Sequence, residues 1–149
     1  MYRLKVRAKN VAGVYSEFSN SLVVALGSVP GAPSKPEKVI GASGPKQIAV
    51  QWNEVTGGTL PIYGYRLYSD LGLDDNFSIV FDGTNKPKTT QYLQSNVTDP
   101  SVTYRFYVTA VNFNGEGAAS ATAQLRSCTL PKAGLGSFDA PKVEAVSST

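Results

Sequence analysis

Among its 149 residues the chain has no histidine, one cysteine (Cys128), one methionine and one tryptophan. Without histidine there is no imidazole to serve as general base or metal ligand. A lone cysteine closes no internal disulfide and has no partner to activate it as a nucleophile, so Cys128 reads as an idle thiol, with an intermolecular bridge as the lesser alternative. No apolar run reaches the roughly 18 residues that mark a membrane helix, so no membrane insertion is expected within this segment. Charged residues are sparse as well, at 17%, with a net charge of +3. All of that excess sits in residues 1–29, where Arg3, Lys5, Arg7 and Lys9 face only Glu17.

The carboxylates that remain for chemistry cluster at Asp70, Asp74 and Asp75 in SDLGLDDN. Their spacing lacks the alternation of a helix-loop-helix calcium loop, and they read as an exposed polar loop instead of a calcium site. No glycine-rich phosphate loop opens a helix, because no window has helical periodicity. The chain is therefore read as non-enzymatic, with no catalytic residue, no metal and no cofactor.

What is present is alternation. Ile48, Val50 and Trp52 alternate with Gln47, Ala49 and Gln51; Tyr65 and Leu67 alternate with Arg66 and Tyr68; Tyr104, Phe106, Val108 and Ala110 form another row. A period of two is that of a half-buried strand, whose successive side chains point to opposite faces. The shared inward phase marks Trp52, Tyr65, Leu67, Phe106 and Val108 as core. Turn clusters ASGPK, VTGGTLP, DLGLDDN, DGTNKPK and NFNGEG separate the runs. Short strands punctuated in this way predict an all-β antiparallel sandwich or barrel.

An internal repeat narrows the choice. YRLKVRAKNVAG at 2–13 returns as YRFYVTAVNFNG at 104–115, an offset of 102 residues that matches Tyr2 with Tyr104, Val6 with Val108, Ala8 with Ala110, Asn10 with Asn112 and Gly13 with Gly115. A period near 100 residues is about one sandwich domain. PEKVIGAS at 36–43 and PKVEAVSS at 141–148 follow the two copies in the same order, so the chain reads as a window on a tandem array. The four cations of the first copy share one strand face, and a polyanion such as heparin or nucleic acid would meet such a stripe. Their counterparts are Arg105, Tyr107, Thr109 and Val111, so the stripe is not a property of the repeat. It reads as the solvated face of a half-buried strand, and no nucleic-acid partner is expected.

Taken in order, Pro36, Trp52, PIYGYRLY at 61–68, Pro100 and YRFYVTAVNFNGEG at 104–117 resemble a fibronectin type III domain, over about 100 of the 149 residues. The resemblance implies an immunoglobulin-like antiparallel β-sandwich of about seven strands in two sheets around a buried tryptophan, here Trp52 on the domain's second strand. Tyr104 is similar to the corner tyrosine, whose hydroxyl bonds backwards to the chain before the sixth strand. That stretch reads VTDPSVTY, one residue longer than the usual family spacing. The implied division is 1–29 as the last two strands of a preceding domain, 30–131 as a complete domain, and 132–149 as a linker and the first strand of a following one. Two strands cannot cover the row Tyr2, Leu4, Val6 and Ala8, so material outside the chain is expected to cover it.

The resemblance further implies a repeat of a larger protein, acting as structural spacer and as protein-protein interaction or adhesion module. Its partners would be neighbouring repeats and an unidentified protein, with an extracellular or cell-surface setting favoured. An intracellular cytoskeletal or sarcomere-like scaffold, or an accessory repeat of a large secreted enzyme, are the alternatives. Candidate contact residues are Tyr107 and Val111 on the outward phase, Phe113 and Asn114 in the turn, and Glu116 beside it. Asn76 in NFS and Asn96 in NVT are acceptable glycosylation sequons. Pro30, Pro33 and Pro36 recur with the period of a polyproline II helix, which suits a stiff interdomain spacer better than a docking ligand.

Overall fold

The computed structural model describes residues 1–72, 76–97, 99 and 101–127. Asp74, Asp75, Cys128 and the segment 132–149 lie outside the described residues. In chain order the strands are β1 (Tyr2–Leu4), β2 (Leu22–Val24), β3 (Glu37–Lys38), β4 (Gln47–Gln51), β5 (Ile62–Ser69), β6 (Ser78–Asp82), β7 (Gln91–Ser95), β8 (Tyr104–Asn112), β9 (Gly115–Glu116) and β10 (Ala123–Leu125). The only helical element among the described residues is a 3-10 turn, Ile40–Ala42.

All strand pairings among the described residues are antiparallel. One sheet has the order β3-β4-β7, the other β10-β8-β5-β6, with β9 also on β8. Both β9 and β10 pair with β8, at its two ends, so they are two parts of one return strand. Between them Ser120 keeps hold of β8: its N–H donates to Val108 O at 2.9 Å and its Oγ accepts the Val108 N–H at 3.1 Å.

Register brings the alternating rows together. Leu67 lies opposite Val108 and Tyr65 opposite Ala110 on the inner face of one sheet. Ile48 and Val50 of β4 and Trp52, one residue beyond it, belong to the same buried cluster. Leu67, Phe106 and Val108 have 0% exposure, Tyr65 1% and Trp52 4%. Burying each such side chain stabilises the fold by about 1.5–3 kcal/mol. The Trp52 ring meets Tyr65 edge-on, with centroids 6.0 Å apart and planes at 60°, and lies 6.3 Å from Phe81. The Tyr65 hydroxyl accepts the Val55 N–H at 2.8 Å, which satisfies the polar tip of a core aromatic from the loop after Trp52.

Pro30, Pro33 and Pro36 are all buried. A period of three in an extended segment puts them on one side. That side is covered, and between them Ser34 Oγ accepts the Asn53 N–H at 2.9 Å. The segment ahead of β3 is thus laid along the sandwich.

β1 and β2 form a separate two-stranded sheet. On its cationic face the Arg7 guanidinium sits 3.9 Å from the Tyr15 ring centre and 4.9 Å from that of Phe18, and Lys9 Nζ lies 5.2 Å from Tyr15. The Arg7 and Lys9 part of the stripe is therefore braced by aromatics of the returning chain. Tyr2, Leu4 and Val6 remain 56%, 52% and 72% exposed.

Truncating the residue between the sheets tests this packing. Trp52→Ala is expected to lower the stability of the sandwich by about 3–5 kcal/mol in urea unfolding, the usual cost of an aromatic-to-alanine cavity.

Candidate interaction surface

The turn joining β8 to β9 is shaped by Gly115, whose φ of +122° lies in a region that side chains rarely adopt. Asn112 Oδ1 accepts the Asn114 N–H at 2.9 Å and closes the turn. The two asparagine amides then point at the incoming chain. Asn114 Nδ2 donates to Gly27 O at 2.6 Å and to Ala25 O at 3.3 Å, and Asn112 Nδ2 donates to Ser28 O at 2.8 Å. Phe113 stands at the tip, 36% exposed.

Below the turn, the outer face of β5, β8 and β9 carries one connected network. Glu116 accepts from Thr109 Oγ1 at 2.6 Å and from the Tyr68 hydroxyl at 2.7 Å, while Arg66 Nη1 donates to its other oxygen at 2.9 Å. Arg66 Nε also reaches Asp82 at 3.1 Å. The Tyr68 and Tyr107 rings stack with centroids 4.6 Å apart and planes at 12°. Phe77 leans on Tyr107 at 5.0 Å, and the Arg105 guanidinium lies 5.5 Å from the Phe77 ring centre. Arg105 pairs with Asp70, which also accepts the Arg105 N–H at 2.9 Å and the Gly72 N–H at 3.0 Å.

These contacts set the charge states. Partial burial works to raise the Glu116 carboxyl, but hydrogen bonds from Thr109, Tyr68 and Arg66 outweigh it and hold it below the usual carboxylate range. Asp70 behaves alike: desolvation opposes ionisation, and the N–H groups of Arg105 and Gly72 with the Arg105 side chain reverse it. The Tyr68 hydroxyl is pushed up to about 12, first by desolvation and then by its bond to Glu116.

Two placements differ from the sequence reading. Val111, assigned to the outward phase, is 8% exposed. Its register partners are Gly64 of β5 and Glu116 of β9, and the Glu116 side chain lies beside it on the outer face, held there by Arg66, Tyr68 and Thr109. Asp70, read as part of an exposed loop, is 3% exposed and paired with Arg105. Glu116, named as a contact residue, is occupied within the network. Of the other candidates, Tyr107 is half-buried, Asn114 is engaged with Ala25 and Gly27, and Asn76 and Asn96 are exposed. Tyr104 is buried at 5%, and the turn preceding it includes residues 98 and 100, which lie outside the described residues. Among the described residues no group of three or more His, Cys, Asp or Glu is placed to hold a metal ion, and no helix is long and apolar enough to cross a membrane. Arg66 and Tyr68 were visible as the outward phase of β5. Their link to a glutamate 50 and 48 residues away needed the strand register.

A carboxyl held low by folded-state contacts stabilises the fold above its unfolded value and loses that contribution as pH falls through its folded value. Stability is accordingly expected to be level above about pH 5 and to decline below about pH 4. Glu116→Gln and Asp70→Asn should each lower stability at neutral pH and flatten that decline, read as the urea midpoint against pH.

No family model matches the chain. Mouse protein sidekick-1 is 31% identical over 122 residues, which is 80% of this chain and 5% of that protein, so the chain spans a small part of its relative's length. The fibronectin type-III domain of human fibronectin type III domain containing protein 3 superposes with a TM-score of 0.57 at 22% identity, covering 73% of this chain and 95% of that one. A domain segment of titin gives a TM-score of 0.59 at 17% identity, covering 74% of this chain and 37% of its own. The two sheets of this chain, closed on Trp52 with β8 and its return strand at the centre of the turn surface, have the fibronectin type III fold.

Proposed function

We propose that the chain is a non-catalytic stretch of a tandem fibronectin type III array, serving as structural spacer and protein-interaction module of a larger protein. One observation carries this reading: the hairpin of residues 2–24 repeats the hydrogen bonding of the hairpin formed by β8 and its return strand. Val6 N–H donates to Ser19 Oγ at 3.1 Å and Ser19 N–H to Val6 O at 2.8 Å; Val108 and Ser120 do the same at 3.1 and 2.9 Å. Each of these serine hydroxyls donates to the next carbonyl at 3.0 Å, Asn20 O in one and Ala121 O in the other. Ser16 N–H bonds Ala8 O as Gly117 N–H bonds Ala110 O, both at 2.9 Å.

The inner rows correspond too. Tyr104, Phe106 and Val108 are buried by the rest of their sandwich, whereas Tyr2, Leu4 and Val6 are exposed. We assign their cover to earlier strands of the same unit, with residues 30–131 as the next unit and 132–149 as the approach to a third. An apolar strand face of this size is stable in water only when packed against further strands. The interaction role rests on the band Tyr68, Tyr107 and Phe77, half-buried aromatics flanked by paired charges, which is the make-up of protein-binding surfaces.

Amide hydrogen exchange tests the division. In the 149-residue chain residues 2–24 are expected to exchange rapidly while β4, β5 and β8 exchange slowly. Equal protection of the hairpin and the sandwich would overturn it.

A further inference from the structure

The turn that would be free to meet a partner is instead closed on the chain's own linker, and we infer that it acts as a clasp fixing the orientation of whatever precedes Ala25. Two side-chain amides hold three successive points of the linker: Asn114 takes Ala25 O and Gly27 O, and Asn112 takes Ser28 O. A third anchor is steric. A Cβ placed on Gly117 would lie 2.2 Å from Pro30 O and 2.9 Å from Pro30 C, so the return strand and the linker backbone touch at a place only glycine permits. On the linker's other side a Cβ on Gly27 would lie 2.4 Å from Thr59 Oγ1 and 2.7 Å from Leu60 Cγ. Beyond the clasp Pro30, Pro33 and Pro36 are buried, so residues 25–36 follow the sandwich from the turn to β3.

Sequence separates this joint from that of the first copy. At the corresponding places the first hairpin has Ala12 for Asn114, which removes the amide, and Ser16 for Gly117, which carries a side chain where the contact needs none. The shared Asn10 uses its Oδ1 on the Val14 N–H at 2.9 Å, the turn-closing role of Asn112. Closure by an asparagine Oδ1 therefore belongs to both hairpins, onto the fourth residue along in the first and the second residue along in the other, and the amide and glycine of the clasp belong to the second alone. The three hydrogen bonds are individually weak. Together with a backbone contact and a linker whose conformational freedom is already cut by three prolines, they hold one geometry at small entropic cost.

That the clasped segment sets an angle between two domains rests on the tandem reading; that residues 25–29 are held to the sandwich does not. The test is amide 15N relaxation on the 149-residue chain, comparing residues 25–29 with β8. In the unaltered chain their order parameters are expected near the ~0.85 of rigid backbone, falling below about 0.6 in Asn114→Ala and in Gly117→Ala, with β8 unchanged. Gly117→Ala wedges the contact apart without touching the amides, so the two variants probe separate anchors. If Gly117→Ala alters β8, Asn114→Ala decides. Order parameters already below about 0.6 in the unaltered chain, or rigid values retained in both variants, overturn the clasp. Mobility confined to residues 2–24 bears on the tandem reading alone.

Discussion

The edge-on packing of Trp52 against Tyr65, with Phe81 beside it, spans the space between the two sheets. Neither sheet is stable alone, because each presents one apolar face that water does not tolerate. Filling the gap with one large ring constrains what surrounds it. Tyr65 must be on the inner phase of β5, which puts Arg66 and Tyr68 outside and sets Leu67 against Val108. The loop after Trp52 must return close enough for Val55 N–H to reach the Tyr65 hydroxyl. The outer network is thus a consequence of the inner packing, through the strict alternation of strand side chains.

On that outer face Glu116 gathers Arg66, Tyr68 and Thr109 from two other strands. Its charges are partly solvated, and such pairs contribute little energy each. Their effect is directional. They tie β9 to β5 across β8, which holds the turn carrying Asn114 and Gly115 in one place. The turn in turn meets Ala25, Gly27 and Ser28, so a chain of contacts runs from the core tryptophan to the segment ahead of β3.

The two hairpins separate what local sequence does from what surroundings do. Both close with an asparagine, and both recruit a serine hydroxyl where the return strand leaves the ladder. Their inner rows have the same apolar character, yet Val108 is wholly buried and Val6 is 72% exposed. Burial here depends on strands that lie elsewhere in the chain.

Much of the architecture was legible in the sequence. Period-two alternation, turn clusters and the order of Pro36, Trp52 and the repeated tyrosine segment determined an all-β sandwich with Trp52, Tyr65, Leu67, Phe106 and Val108 on inward phases, since side-chain direction along a strand is fixed by local geometry. Alternation was a poorer guide at the end of β8, where Val111 is enclosed by neighbours on both sides. It was silent about Asp70, whose partner Arg105 lies 35 residues away, and about Asn114, whose acceptors at Gly27 and Ala25 lie 87 and 89 residues away. Hydrogen bonds and ion pairs of this kind depend on which strands are neighbours and in what register. A local pattern specifies the face of a strand, and only the closed sandwich decides what that face meets.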